Sequence, residues 1–269
     1  MSDSPKLSLT LLGTGPSGGV PRVTNDWGQC DPAEPKNRRR RAAALIEQLS
    51  SDGSKTSVLI DAGPDCREQL LSSNVQSLEA VVITHPHADH IFGLDDLRQL
   101  ALTLRRPIDV YMDSNTSDTV KGGFYYCFRQ TEGSSYPLFC VEKRIVPPTT
   151  IEVDGPGGEI RLQPFEVVHG DINALGFRVN DIAYVPDMKR LLNEHSRSVL
   201  DGVRVLVVDA LRRKPHPTHM HLEETLSFIT EVAPERAVLT NMHCDLDYHT
   251  LCKELPAGVE PGFDGMVIT

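Results

Sequence analysis

The stretch Thr84-His85-Pro86-His87-Ala88-Asp89-His90 constrains this chain more than any other. It follows Leu78-Glu79-Ala80-Val81-Val82-Ile83, an apolar, β-branched run that reads as a buried strand. Behind it, Ile91 to Arg98 has helical spacing. Three imidazoles and a carboxylate therefore share a short turn between strand and helix, where a rigid sheet can aim a loop. His85 and His87 are two apart in an extended segment and point the same way. Asp89 and His90 turn back at the start of the helix and face a neighbouring point. Neutral imidazole and carboxylate are the donors that zinc, manganese and iron accept. Scattered surface histidines on a polar loop are the plainer reading, but a polar loop does not call for four ligand-type residues in seven. The stretch reads as a metal site.

The 269 residues suffice for one large domain or two small ones. Hydrophobic content of 39% and charged content of 24% are ordinary for a soluble globular protein with a sizeable core. No apolar run approaches the ~20 residues a membrane helix needs. Met1-Ser2-Asp3-Ser4-Pro5 lacks the charged and apolar regions of a signal peptide, so the cytoplasm is the expected location. Six cysteines (30, 66, 127, 140, 244 and 252) show no CxxC spacing, which argues against a disulfide scaffold or a zinc ribbon. The net charge of −10 and the lack of a long basic stripe argue against extended nucleic acid as a partner. Two basic runs, Lys36 to Arg41 and Leu211 to Lys214, read either as solvated edges or as places for a phosphate.

Residues 6–12 alternate as a strand and enter the glycine-rich turn Gly13 to Pro21. No helix signal follows closely, so neither a P-loop nor a dinucleotide fingerprint is supported. Residues 42–48 and 57–60 read as paired strands, and Asp61-Ala62-Gly63 ends the second. Helices are expected over 64–71 and 91–106, and a short strand over 108–111. Residues 113–141, rich in Ser, Thr, Gly and aromatics, read as an insertion, a lid or a binding loop. Contacts between copies often form on such segments, and a homodimer is one expectation. Further strands end at His169, Asp187 and Asp209. His216, His219 and His221 precede a helix over 223–232, and the strand 236–240 runs into Asn241-Met242-His243.

The motif His85-x-His87-x-Asp89-His90, with these segments around it, resembles the signature of the metallo-β-lactamase superfamily, mostly hydrolases with two metal ions. The glycine loop and the ending Phe263-Asp264-Gly265-Met266 are similar to its phosphoribosyl cyclic phosphate phosphodiesterase branch. That branch carries a cysteine cluster for a structural zinc after the glycine loop. Here only Cys30 stands there, so that zinc is not expected. The resemblance implies a four-layer αββα sandwich of two mixed sheets, spanning residues 1–269 as a single domain. It implies two divalent ions, zinc or manganese, with iron accepted by the same donors. His85, His87 and His169 would hold the first ion, Asp89, His90 and His243 the second, and Asp187 would bridge them. Asp61 would orient a ligand histidine, unless it is a turn aspartate bonded to local backbone. Relatives commonly place a histidine where Asn241 stands. Two residues along an extended chain return to the same face, so either His243 binds or the second site is weak. His219 would act, without ligating, on the leaving-group oxygen. His221 would contact substrate or support the site, and Ser17 with the loop amides would hold a substrate phosphate.

The expected activity is a metal-dependent phosphodiesterase cleaving a small cyclic phosphate or nucleotide-like substrate. A hydroxide held between the ions is the expected nucleophile, with His219 and Asp89 as catalytic residues. The alternatives are hydrolysis of another ester, thioester or lactone on the same metals, a nuclease, or a non-catalytic metal- or ligand-binding protein.

Overall fold

In a computed structural model the chain is described over residues 6–130, 132–133 and 135–269. Met1 to Pro5, read above for a leader, lie outside the described residues, as do Thr131 and Ser134 of the 113–141 stretch. The apolar and β-branched runs become strands of two mixed sheets. The first contains β1 (Lys6–Gly13), β2 (Ala43–Leu49), β3 (Lys55–Ile60), β4 (Ala80–Val82), β5 (Ile108–Met112) and β6 (Cys140–Arg144). Its order is β15-β1-β2-β3-β4-β5-β6, where β15 is Val267–Ile268. Pairing is antiparallel from β15 to β3 and parallel from β3 to β6.

The second sheet runs β11-β8-β9-β10-β12-β13-β14, with β7 (Ile151–Val153) pairing to β8. Its strands are β8 (Ile160–His169), β9 (Ile172–Val179), β10 (Ile182–Val185), β11 (Arg190–Leu191), β12 (Val205–Asp209), β13 (Arg236–Thr240) and β14 (Val259–Pro261). β10, β12, β13 and β14 are parallel. Every residue of β4 and β12 is buried, as expected of parallel strands covered on both faces.

Three cores divide the molecule into layers. Leu9, Ile46, Val58 and Val82 of the first sheet meet Leu162, Phe177, Tyr184 and Val207 of the second between the sheets. The outer face of the first sheet is covered by α1 (Cys66–Ser72), α2 (Ala88–Ile91), α3 (Leu97–Leu104) and α4 (Ser114–Phe128). That of the second is covered by α5 (Glu194–Val199), α6 (Leu222–Val232) and α7 (Tyr248–Glu254). This is the αββα sandwich the sequence led to.

Two stretches differ from the sequence reading. The run 91–106 is broken into the end of α2, a 3-10 turn at Leu94–Asp96, and α3. The cause is close approach of backbones: a Cβ on Gly93 would meet the Gly63 carbonyl oxygen at 2.0 Å, and one on Gly63 would meet that of Asp89 at 1.9 Å. The bare backbones let Ala62 N–H donate to His90 O and Gly93 N–H donate to Ala62 O, both at 2.8 Å. These bonds tie the histidine turn to the end of β3. The stretch 113–141 opens not with a loop but with α4, whose cap Asp113 accepts from Thr116 N–H at 2.7 Å. Val120 and Cys127 bury it on the first sheet, despite a kink at Phe124.

Candidate metal centre

Parallel strands present their carboxyl ends at one edge of the sandwich, the place where such sheets bind ligands. Asp61 follows β3, His85 follows β4, Asp187 follows β10, Asp209 ends β12 and Asn241 follows β13. His169 ends β8, which runs in the same sense as β10 because both are antiparallel to β9. Topology alone therefore gathers residues from positions 61 to 241 at one edge.

Hydrogen-bond partners fix the protons of the imidazoles. Thr84 Oγ1 spends its proton on Asp61, at 3.1 and 2.9 Å from the two carboxylate oxygens. His85 Nδ1, 2.9 Å from Thr84 Oγ1, is then the donor of that pair, and its Nε2 carries a lone pair. His169 Nδ1–H donates to the Thr218 carbonyl at 3.0 Å, leaving its Nε2 bare as well. Both bare nitrogens face His87 Nδ1, at 2.9 Å and 3.2 Å. Burial and the neighbouring histidines hold His85 far below the usual imidazole pKa, and burial takes His169 down to about 3. Three neutral imidazoles thus converge with at most one proton among the nitrogens that face one another.

Beside them His90 Nδ1–H donates to Asp61 Oδ2 at 2.7 Å, so Asp61 orients a histidine rather than serving only as a turn residue. His90 Nε2 lies 3.4 Å from Asp89 Oδ2 and 3.3 Å from Asp187 Oδ2. Burial disfavours charge on His90, but Asp61, Asp187 and Asp89 outweigh it and raise its pKa. Burial pushes Asp187 up to about 7, and its Oδ2 has no hydrogen-bond partner.

This donor set fits divalent cations. Bare imidazole nitrogens point at one another, a buried carboxylate oxygen is orphaned, and carboxylates crowd around His90. Among the described residues, three triads lie within mutual ligand reach: His85/His87/His169, His85/His90/Asp187 and His169/Asp187/His219. Asp187 occurs in two of them.

His219 Nδ1–H donates to Asp209 Oδ2 at 2.7 Å, and its ring lies 4.5 Å from that of His169. Burial opposes charge on His219, yet Asp209 raises its pKa to about 9. Asp209 is fully buried and also accepts from Met188 N–H at 3.1 Å. No role was read for Asp209 in the sequence; a carboxylate closing a wholly apolar strand was the available signal.

His243 is not brought into this cluster. Asn241 has φ +58°, so the chain turns left-handed there and strand alternation ends. The His243 ring faces Arg22 Nη1 at 3.3 Å and Asp245 Oδ1 at 3.2 Å instead. Asn241 is itself in the cluster, buried, with Nδ2 3.3 Å from Asp187 Oδ1 and 3.3 Å from Asp209 Oδ1. His221 is engaged at the N-terminus of α6, where Glu224 Oε2 accepts its backbone N–H at 3.1 Å and lies 2.7 Å from its Nδ1. His216 Nδ1 accepts from Thr218 N–H at 3.3 Å within the same turn. Ser17 lies exposed on the glycine loop, its carbonyl accepting from Arg41 Nε at 3.1 Å. Three arginines of the first basic run are engaged within the protein. Arg39 is buried and donates to the carbonyls of Met242, His243 and Leu246, while Arg40 pairs with Asp264 and Arg41 with Asp65. The run staples the N-terminal loop to the turn after β13.

The Beta-lactamase superfamily domain matches residues 56–242, a span that includes every side chain of this cluster. The chain belongs to the metallo-β-lactamase superfamily. It is 32% identical over 258 residues to a protein of Porphyromonas gingivalis named octanoyltransferase, covering 95% of this chain but only 50% of that protein's length. Among solved structures, a new diphosphatase from the PhnP family superposes with a TM-score of 0.86 at 32% identity, over 98% of both chains. The zinc-bound PqqB of Methylobacterium extorquens superposes with a TM-score of 0.75 at 18% identity, over 97% of this chain and 99% of its own, and shares the fold. As a member of this superfamily the chain carries a histidine/aspartate cluster whose donors could hold divalent metal. No helix among the described residues is long and apolar enough to cross a membrane.

Proposed function

We propose that the chain is a dinuclear metal phosphodiesterase acting on a small cyclic phosphate or nucleotide-like phosphodiester. The carrying observation is the His219–Asp209 pair beside the three neutral imidazoles: a charged acid held next to a set of bare metal donors. In this reading His85, His87 and His169 would hold one ion and Asp89 and His90 the other, with Asp187 within reach of both. Bound divalent ions supply Lewis-acid polarisation of the phosphoryl oxygens and a water nucleophile ionised near neutrality. Asp61 fixes the ring of His90, and Thr218 and Thr84 fix the tautomers of His169 and His85, so the donors are preorganised. His219, positively charged below about pH 9, gives its Nε2 proton to the departing alkoxide oxygen. Asp209 stabilises the charged form beforehand.

A leaving-group acid separates this from the thioester reading. An alkoxide leaving a phosphodiester is a strong base and gains from protonation, whereas a thiolate leaves without it. Likeness to a PhnP-family diphosphatase supports a phosphoryl substrate. The name octanoyltransferase belongs to a protein of which this chain spans half, and its activity is not carried over. The test is metal content by elemental analysis together with hydrolysis of bis(p-nitrophenyl) phosphate, followed by cyclic ribose phosphates and nucleotides. Metal-dependent turnover of these, with thioesters and lactones untouched, is expected. Thioester or lactone turnover without phosphodiester turnover would overturn the reading.

A further inference from the structure

The two sides of the metal centre are unequally furnished. On one side His85 Nε2, His87 Nδ1 and His169 Nε2 converge with contacts of 2.9 and 3.2 Å. On the other side His90 Nε2 is the imidazole nitrogen beside Asp89 and Asp187. The side chain that closes this second side is Asn241, 3% exposed. Its amide nitrogen is turned toward Asp187 Oδ1, Asp209 Oδ1 and His219 Nδ1, each at 3.3 Å. An amide nitrogen has no lone pair to give a metal; it donates hydrogen bonds. The remaining ligand atom of Asn241 is a neutral, hard carbonyl oxygen, which suits manganese or magnesium better than zinc. His243, the next imidazole along the chain, is held away by Arg22 and Asp245.

We propose that the centre is graded: a tight ion on His85, His87, His169 and Asp187, and a weak, exchangeable ion on Asp89, His90 and Asp187. Asn241 sets the grading. Its N–H groups donate to Asp187 and Asp209 where an imidazole ligand would otherwise stand, bracing the bridging carboxylate against the carboxylate that holds His219. The inference rests on the two-ion reading above and adds which ion is lost first and why.

The test titrates the full chain, stripped with chelator, by calorimetry with zinc and separately with manganese, and counts retained metal after dialysis. Wild type is expected to retain one zinc per chain and to bind a second about 10²-fold more weakly, with a smaller gap between sites for manganese. In Asn241→His the second zinc should be retained and the gap should close to within about tenfold. Histidine, like asparagine, is among the side chains that tolerate the left-handed backbone at this position. Two equally tight zinc sites in wild type would overturn the grading while leaving the dinuclear reading intact. A folded Asn241→His variant with an unchanged second site would overturn the role of Asn241. No zinc retained by wild type would instead remove the metal reading itself. The wild-type titration decides the grading even if the variant does not fold.

Discussion

His85, His87, Asp89 and His90 come from six consecutive positions, whereas Asp187, Asp209 and Asn241 arrive from the ends of three strands of the second sheet and His219 from the loop after β12. The first group is fixed locally. One turn, clamped to the end of β3 by Ala62 and Gly93, presents its rings, and Asp61 and Thr84 set their protons. The second group is fixed by sheet topology, since neighbouring parallel strands must deliver their last residues side by side. The chemistry divides along the same line. His85 and His87 of the first group are neutral and suited to bind, whereas Asp209 and His219 of the second form a charged pair suited to handle a proton. Metal retention and turnover should therefore separate when the two groups are altered in turn.

The largest effect is expected on the binding side. His87 is the exposed member of its triad, so His87→Ala removes donor atoms without opening a buried hole. Retained metal should fall, and turnover should drop by roughly 10³-fold or more, since the several kcal/mol that the ions supply is lost. Unchanged metal content by elemental analysis would show that the triad is not where the ion sits.

His219→Ala addresses the other side. Metal content should stay at the wild-type level while kcat falls by about 10²–10⁴-fold, the usual share of a general acid. His169, Asp187 and His219 also lie within ligand reach of one another, so this variant has a sharp alternative outcome. Lost metal would make His219 a ligand and erase the division between binding and proton handling. A smaller effect is expected from Asp61→Asn, which keeps the shape but weakens the hold on His90 Nδ1. Metal affinity should fall about 10–100-fold, measured by competition with a chelator of known strength.

The same division explains what could be read from the sequence. A local constellation such as 85–90 carries its own evidence, because four ligand-type residues in a row of seven have no better use. His169 and Asp187 were legible only through resemblance, since nothing local distinguishes a histidine or an aspartate at a strand end. Asp209 was passed over for that reason: its partner His219 is ten residues away and meets it only after the sheet forms. The placement of His243 turned on one dihedral. Alternation predicts that residues 241 and 243 share a face, but the positive φ of Asn241 breaks the strand between them. The helix α4 was hidden by its Ser, Thr and Gly content, which reads as loop. Its helical state comes from burial of Val120 and Cys127 against the first sheet, a tertiary effect that propensity does not contain.

The finest test of the comparison uses pH. His219 has a folded-state pKa raised from 6.5 to about 9 by Asp209, against the opposing effect of burial. A raised pKa means that the charged form, and the stability it contributes, is fully present below 6.5 and is lost as pH rises through about 9. If His219 is the acid, kcat should fall along an alkaline limb near pH 9. Asp209→Asn removes the carboxylate that raises the pKa, so the limb should move to lower pH by about 1–3 units. The variant should then resemble wild type most closely on the acid side and diverge from it as pH rises. Metal content should not change, because Asp209 meets the imidazole triad only through His219 and Asn241. A limb that stays in place in the variant would detach Asp209 from the proton-handling side. A limb that stays while metal is lost would move it to the binding side.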